Sequence, residues 1–304
     1  MSLHLTVRRR PNREPRPADG AMPLLDHLNE FRRRLFVATL GLLVGAGVGF
    51  VWFGHGIPAI GLPSLGDVLT GPYCAVPATE RVTFGGSGFG GGDCRLLATG
   101  PFSALELQLK SALIAGSVLS APVWLSQLWG FVTPALHTRE RRYAITFATA
   151  GAALFLAGTV LAYLVIREGL TVLLGFGGDA TIAALTPDSY FSFLIAMLIV
   201  FGVSFELPLL LIMLNRMSVV SHAQLGSWRR YAVFALVVFA GLIVPGNDPI
   251  TMLALAVSLI TLYELSVQVA RIHDRRLARR RATHALPDDS PSILPVPDSN
   301  EVST

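Results

Sequence analysis

The stretch YFSFLIAMLIVFGVSFELPLLLIML, Tyr190–Leu214, decides the fold. Its only charged residue is Glu206. A helix of this length reaches about 37 Å at 1.5 Å per residue, enough to cross roughly 30 Å of hydrocarbon. Five further apolar stretches flank it: Leu35–Phe53, Ser111–Phe131, Ala144–Ile166, Tyr231–Val244 and Ile250–Val269. The fourth of these spans only about 21 Å, so it must tilt little, thin the bilayer or lean on its neighbours. Charged residues make up 14% of the 304-residue chain, against about 25% in an average globular domain, and mean hydropathy is +0.56. Such a chain cannot clothe itself in polar surface, which excludes a soluble protein. The expected fold is an all-α membrane protein with six transmembrane helices.

The net charge of +4 could suggest nucleic acid, but the basic residues are sorted by topology. Eight arginines precede the first span, Arg139, Arg141 and Arg142 follow the second, and Arg216, Arg229 and Arg230 lie between the fourth and fifth. Six more follow the last span, at positions 271, 275, 276 and 279–281. Arg81, Arg95, Lys110 and Arg167 alone fall on the other side. The positive-inside rule therefore predicts cytoplasmic N and C termini, in agreement with an even span count. No nucleic-acid partner is expected. The first span has a long charged leader and no small-residue cleavage site after it, so it is read as retained. Residues 1–21, rich in Arg and Pro, read as a disordered extension, and 274–304 as a basic then disordered cytoplasmic tail, the basic segment from Arg271 briefly continuing the sixth helix.

The connection 54–110 is extracytoplasmic and holds both cysteines, Cys74 and Cys94. Two thiols in one loop on the oxidising side favour a disulfide over two free thiols. A metal site is a poor third, since no histidines accompany them. Phe102, Leu105 and Leu109 recur at helical spacing, with Glu106 and Lys110 at i and i+4, predicting a helix along the outer interface before span two.

Catalysis is tested by elimination. All seven histidines lie outside the spans or at their ends, so neither an intramembrane Ser–His pair nor a bundled haem is available. The Gly-rich run 85–92 lacks the Lys-Ser or Lys-Thr pair of a phosphate-binding loop. No enzyme, cofactor or metal is expected.

Three acids in unusual places remain. Glu206 lies inside a span, where an acid costs about 2.5–3.5 kcal/mol unless it faces protein or water. Gly202, one turn earlier, permits close helix approach, and Pro208 removes an amide and frees the Ser204 carbonyl. A polar notch for a partner helix is one reading; a carboxyl satisfied within the protein's own bundle is the other. Glu30, in His27-Leu-Asn-Glu-Phe-Arg-Arg-Arg34, and Glu140, in His137-Thr-Arg-Glu-Arg-Arg142, sit among arginines. Composition alone makes each a local ion-pair partner.

The leader 27–35, the stretch Ser120–Arg142 (SAPVWLSQLWGFVTPALHTRERR) and Phe201–Pro208 (FGVSFELP) together resemble the TatC family. That family supplies the multispanning receptor subunit of the twin-arginine protein translocase. The resemblance covers roughly residues 22–273. The cysteine-bearing loop and Pro245-Gly-Asn-Asp-Pro249 are similar to the actinobacterial branch. It implies a cup-like bundle in a bacterial inner membrane that binds the Arg-Arg pair of a folded cargo's signal peptide at its cytoplasmic face. It implies single-span TatA/TatB-type partners, surrounding membrane lipid, self-association in a multimeric receptor, and passage driven by the proton-motive force. Glu30 and Glu140 match the acids of twin-arginine recognition, with Phe131 and Arg142 nearby. Glu206 matches the position of partner docking, with Gly202 and Pro208 beside it, and Asp248 matches a further family acid. Phe31 stands where the family usually has Leu, which removes no acid.

The chemistry is coherent with that implication. A guanidinium pairs bidentately with carboxylate, so two acids discriminate Arg-Arg from Lys-Lys more sharply than net charge does. Two rivals come from other classes. A proton-coupled secondary transporter using Glu206 predicts internal repeats and interrupted helices in matching halves, which the sequence lacks. A purely structural scaffold has no use for Glu30 or Glu140.

Overall fold

A computed structural model of the chain describes residues 24–56, 61–76, 100–132, 141–175, 186–246 and 248–284. Apolar stretches of this length satisfy every interior backbone group only as helices, and no strand occurs among the described residues. In chain order the helices are α1 (Leu24–Gly54), α2 (Leu65–Cys74), α3 (Ser103–Leu119), α4 (Ala121–Val132) and α5 (Arg141–Gly175). They continue with α6 (Pro187–Ser204), α7 (Leu207–Arg216), α8 (His222–Ser227), α9 (Arg229–Ile243) and α10 (Pro249–His284).

Four segments are long and apolar enough to cross a bilayer: Leu28–Gly54, Ile145–Gly175, Pro187–Arg216 and Pro249–Arg279. A fifth is the pair α3 and α4, bent by 57°. The bend falls where Pro122 has no amide to donate to the Val118 carbonyl. Trp124 Nε1 donates instead to the Ser117 carbonyl at 2.9 Å, satisfying backbone that the bend exposes. The expected span 231–244 is α9, whose 15 residues reach only about 22 Å. Among the described residues, length and composition alone identify four such spans, or five with the bent pair.

α1 packs chiefly on α3 through glycines. A Cβ at Gly45 would lie 2.7 Å from the Gly116 carbonyl oxygen, and one at Gly49 would lie 2.9 Å from the Ala112 carbonyl oxygen. Backbone meets backbone there, as small residues permit. The main core gathers α2, α5, α6 and α10 around the fully buried Tyr190, Phe191, Leu194, Met197, Phe201, Leu255 and Leu259. A second core joins α4, α5 and α7 through Leu125, Trp129, Phe147, Phe155, Leu209 and Met213.

Two expectations change at the α2 end of the bundle. Residues 103–110 do not form a separate interfacial helix: they are the first turns of α3, continuous into the span, because nothing between Lys110 and Ser111 breaks the helix. The expected Glu106–Lys110 pair is present at 2.8 Å, and Lys110 also bonds Asp188 at the start of α6. The connection 54–110 contains α2, which the sequence reading missed. Ser64 caps it by accepting the Asp67 amide at 3.1 Å, and the hydroxyls of Tyr163 and Tyr190 donate to the Val68 and Leu69 carbonyls.

Cys74, the last residue of α2, is disulfide-bonded. The only other cysteine in the sequence, Cys94, lies outside the described residues. A bridge between them closes a loop of about twenty residues, stabilising by roughly 3 kcal/mol in the chain-entropy model. Thiol labelling without reductant should find no free cysteine; two reactive thiols would refute the pairing.

At the other end α10 continues beyond the apolar span 250–269 through the basic segment to His284. Asp274 clasps this extension to α7 and α8, accepting bonds from the His222 amide at 3.0 Å, His222 Nδ1 at 3.0 Å and Asn215 Nδ2 at 3.3 Å. The basic segment after the span is helical through His284. Residues 1–23 and 285–304, the rest of the expected disordered ends, lie outside the described residues.

Candidate functional site

α4 organises the candidate site because three consecutive residues of its last turn face three different partners. Trp129 turns to Glu206, Gly130 to Arg34, and Phe131 to Phe31. Successive helical positions are 100° apart, so one turn can serve two neighbouring helices.

On the α1 side, the Phe31 and Phe131 rings lie 5.3 Å apart, tilted by 57°. Their contact holds the N-terminal part of α1 against the end of α4. One residue before Phe31, the Glu30 carboxylate accepts Arg34 Nε at 2.6 Å, with side-chain exposures of 36% and 24%. Phe131 thus contacts the residue next to Glu30 in α1. Glu140 lies outside the described residues, directly before the first residue of α5. Arg142 is in the first turn of α5.

Glu206 sits where the helix breaks. Pro208 occupies the first turn of α7, where its missing amide is harmless, and Glu206 is the residue that caps that turn by position. Its side chain makes no capping bond and reaches sideways instead. Trp129 Nε1 donates to Glu206 Oε2 at 3.3 Å, while Oε1 is buried with no hydrogen-bond partner among the described residues. The floor is Gly151 of α5, where a Cβ would stand 3.0 Å from Glu206 Oε2 and 2.7 Å from Trp129 Nε1. Around it, Phe147 stacks near Trp129 at 5.9 Å and carries the Arg216 guanidinium 5.7 Å from its centroid.

One expected site residue is displaced by this geometry. Gly202 was expected to leave a notch for a partner helix, but it is buried, and a Cβ there would meet the Phe155 ring at 2.7 Å. The notch is filled by α5 of the same chain. Pro208 is likewise buried, and its carbonyl accepts Ser266 Oγ of α10 at 3.3 Å. Asp248 stands apart from the other acids. It is 1% exposed and caps α10, its carboxylate accepting the Thr251 amide at 2.8 Å and bonding the Thr251 hydroxyl. Gly169 of α5 makes room for it, since a Cβ there would lie 3.0 Å from Asp248 Oδ1. An N-cap is a structural task for an acid at a helix start, and it accounts for Asp248 without a ligand.

The sequence reading missed Trp129, Gly130, Gly151 and Arg34. The two glycines carried no local signal, because only the helix packed against each one shows why a Cβ is forbidden. Trp129 could have been sought by asking which donor serves an intramembrane acid. Among the described residues no cluster of His, Cys, Asp and Glu could hold a metal ion.

Comparison with known proteins agrees with this architecture. The TatC family, described as Sec-independent protein translocase protein, matches residues 26–257. A Sec-independent protein translocase protein TatC of Corynebacterium kroppenstedtii is 45% identical over 291 residues, 93% of this chain and 69% of that protein. Its counterpart in Frankia casuarinae is 42% identical over 284 residues, 92% of this chain and 75% of that one. Both relatives are actinobacterial, the branch that the outer loop and Pro245–Pro249 resemble. A crystal structure of the twin-arginine translocase receptor TatC in DDM superposes with a TM-score of 0.62 at 29% identity, over 80% of this chain and 99% of that one. A match across most of the chain, in sequence and in fold together, identifies it as a member of the TatC family: a multi-pass inner-membrane subunit of the bacterial Sec-independent protein translocase, and not an enzyme.

Proposed function

We propose that the chain is the receptor subunit of its translocase. It binds the Arg-Arg pair of a folded cargo's signal peptide through Glu30 and Glu140, with Phe131 and Arg142 alongside, at the cytoplasmic face of a bundle whose N and C termini are both cytoplasmic. The observation that carries this reading is the seat of Glu30. It is a half-exposed carboxylate already holding a guanidinium at 2.6 Å, beside the aromatic contact that joins α1 to α4. Charge sorting supports the orientation, since 20 of the 24 basic residues fall on the side of Glu30. α9, short as it is, serves as the fifth of six spans by leaning on α10, and the bilayer thins around it. Small single-span TatA/TatB-type subunits assemble on this receptor, which itself associates in multimers, and the proton-motive force drives passage. Co-purification decides the reading: a folded substrate with its twin-arginine signal should be retained, and the same substrate bearing Lys-Lys should be lost. Equal retention of both would reject it.

Glu206 is the polar position where a single-span partner engages. Supporting this, its Oε1 lacks a donor among the described residues, and an unpaired buried carboxyl oxygen is costly. With Gly202 filled by Phe155, the partner's donor must come to the acid itself, not to the glycine face. Crosslinking from a cysteine placed at 206, in a variant lacking Cys74 and Cys94, should capture the partner, and Glu206→Ala should lower export. Unchanged export and assembly in Glu206→Ala would leave the residue as internal packing.

A further inference from the structure

We propose that Arg34 is a resident stand-in for a signal arginine, holding Glu30 until an incoming guanidinium displaces it and thereby setting the threshold of the receptor. The inference rests on the reading of Glu30 as an arginine receptor and adds a competitor built into the same helix.

Three features separate this pair from an ordinary surface ion pair. First, Arg34 is seated as well as paired. Its guanidinium lies across Gly130 of α4, where any Cβ would collide with Nη1 and stand 3.2 Å from Cζ. The guanidinium therefore has a built place between α1 and α4, and Gly130 is the residue that leaves room for it. Second, the pairing is single. Nε donates to Oε1 at 2.6 Å, and no bond from Arg34 to Oε2 accompanies it. An arginine arriving from outside can offer two parallel N–H bonds to the carboxylate, which a side chain anchored one turn along the same helix does not do here. Third, the neighbouring arginines are differently placed. Arg32 and Arg33 are exposed on α1. Arg34 is less exposed and lies against Gly130 of α4.

The energetic scale suits displacement. An i,i+4 carboxylate–arginine pair is weak enough to be broken, whereas a bidentate charged pair is stronger. A signal with one arginine, or with lysines that cannot form the fork, competes poorly against the resident guanidinium. Arg34 thus sharpens selectivity by raising the bar for every ligand. Once displaced, its long side chain can extend to water while its stem stays against α4.

The test titrates the full-length protein, purified in detergent, with a fluorescent twin-arginine signal peptide and its Lys-Lys counterpart. Arg34→Gln should bind the twin-arginine peptide about 2- to 5-fold more tightly, and the Lys-Lys peptide should gain as well, narrowing the discrimination. The gain should vanish in the Glu30→Gln background, because no carboxylate remains to be contested. Arg33→Gln removes the same charge one residue away and should give a smaller gain. Gly130→Ala, which unseats Arg34 without removing any charge, should shift affinity in the same direction and keeps the test decisive if Arg34→Gln does not fold. Unchanged or weaker binding in Arg34→Gln and Gly130→Ala, with Glu30→Gln still impaired, overturns the stand-in and leaves the receptor reading intact. An equal gain from Arg33→Gln also overturns it, since net charge alone would then explain the effect. Normal affinity in Glu30→Gln overturns both.

Discussion

Glu30→Gln and Glu140→Gln should each weaken binding of a twin-arginine signal peptide by roughly 1.5–3 kcal/mol, on the order of 10- to 100-fold, the value of a hydrogen bond to a charged group. The size follows from what neutralisation leaves behind. In the sequence Glu30 is followed closely by Arg32, Arg33 and Arg34, and Glu140 is flanked by Arg139, Arg141 and Arg142. Without its carboxylate each site becomes a basic rim facing a basic ligand. Reversal to Lys should therefore be worse than neutralisation, adding one more positive charge to that rim. Protein levels should hold, since Glu30 is half-exposed at the end of α1 and contributes to no core cluster. Peptide titration, with the folded fraction checked for each variant, decides the matter: normal affinity in both neutral variants would reject the assignment.

Gly116→Ala should be the most damaging single-methyl change in the bundle, while Gly47→Ala should be harmless. A Cβ at Gly116 would run into the Ala46 amide nitrogen and lie 2.7 Å from the Ala46 Cα and 2.9 Å from the Gly45 carbonyl carbon. All three are backbone atoms of α1, so no side chain can rotate away and the two helices must separate. Because α1 is held largely by this contact with α3, the expected loss is about 3 kcal/mol, the upper part of the overpacking range. Gly47, on the open face of the same helix, has no atom within 4 Å of an added Cβ. There the methyl relieves glycine's helix penalty and costs nothing in packing. Thermal midpoints of monodisperse protein in detergent should drop for Gly116→Ala and hold for Gly47→Ala. Equal midpoints would show that α1 and α3 do not rely on backbone contact.

Some residues of the candidate site were legible in the sequence and others were not. Glu206 announced itself because a carboxylate inside a 25-residue apolar run is anomalous in one dimension. Glu30 and Glu140 became meaningful through the ordered motifs around them, not through any local property. Gly202 misled the reading. One turn from Glu206 on the same face, it had the spacing of an interface glycine, yet the helix that fills it is α5, 47 residues earlier in the chain at Phe155. A small residue signals that something approaches and is silent on what. Lys110 behaved likewise: its helical partner Glu106 was predictable from i,i+4 spacing, whereas Asp188, 78 residues away, was not.

By itself the sequence determined that the chain is helical and membrane-embedded, because apolar length and missing charge are sums along the chain and need no partner. It determined that Pro208 leaves the Ser204 carbonyl without its helical donor, but the interruption between α6 and α7 at Glu206 appeared only in the structure. Tertiary structure alone decided which glycines are filled and which are open, and that Asp248 caps α10 against Gly169 of α5. It also decided that Trp129 serves Glu206 and that Arg34 is seated over Gly130. The physical reason is one of range. Propensity and hydropathy act within a few residues, whereas close packing and hydrogen-bond satisfaction are set by whichever atoms arrive from distant helices, and those atoms exist as neighbours only once the bundle has formed.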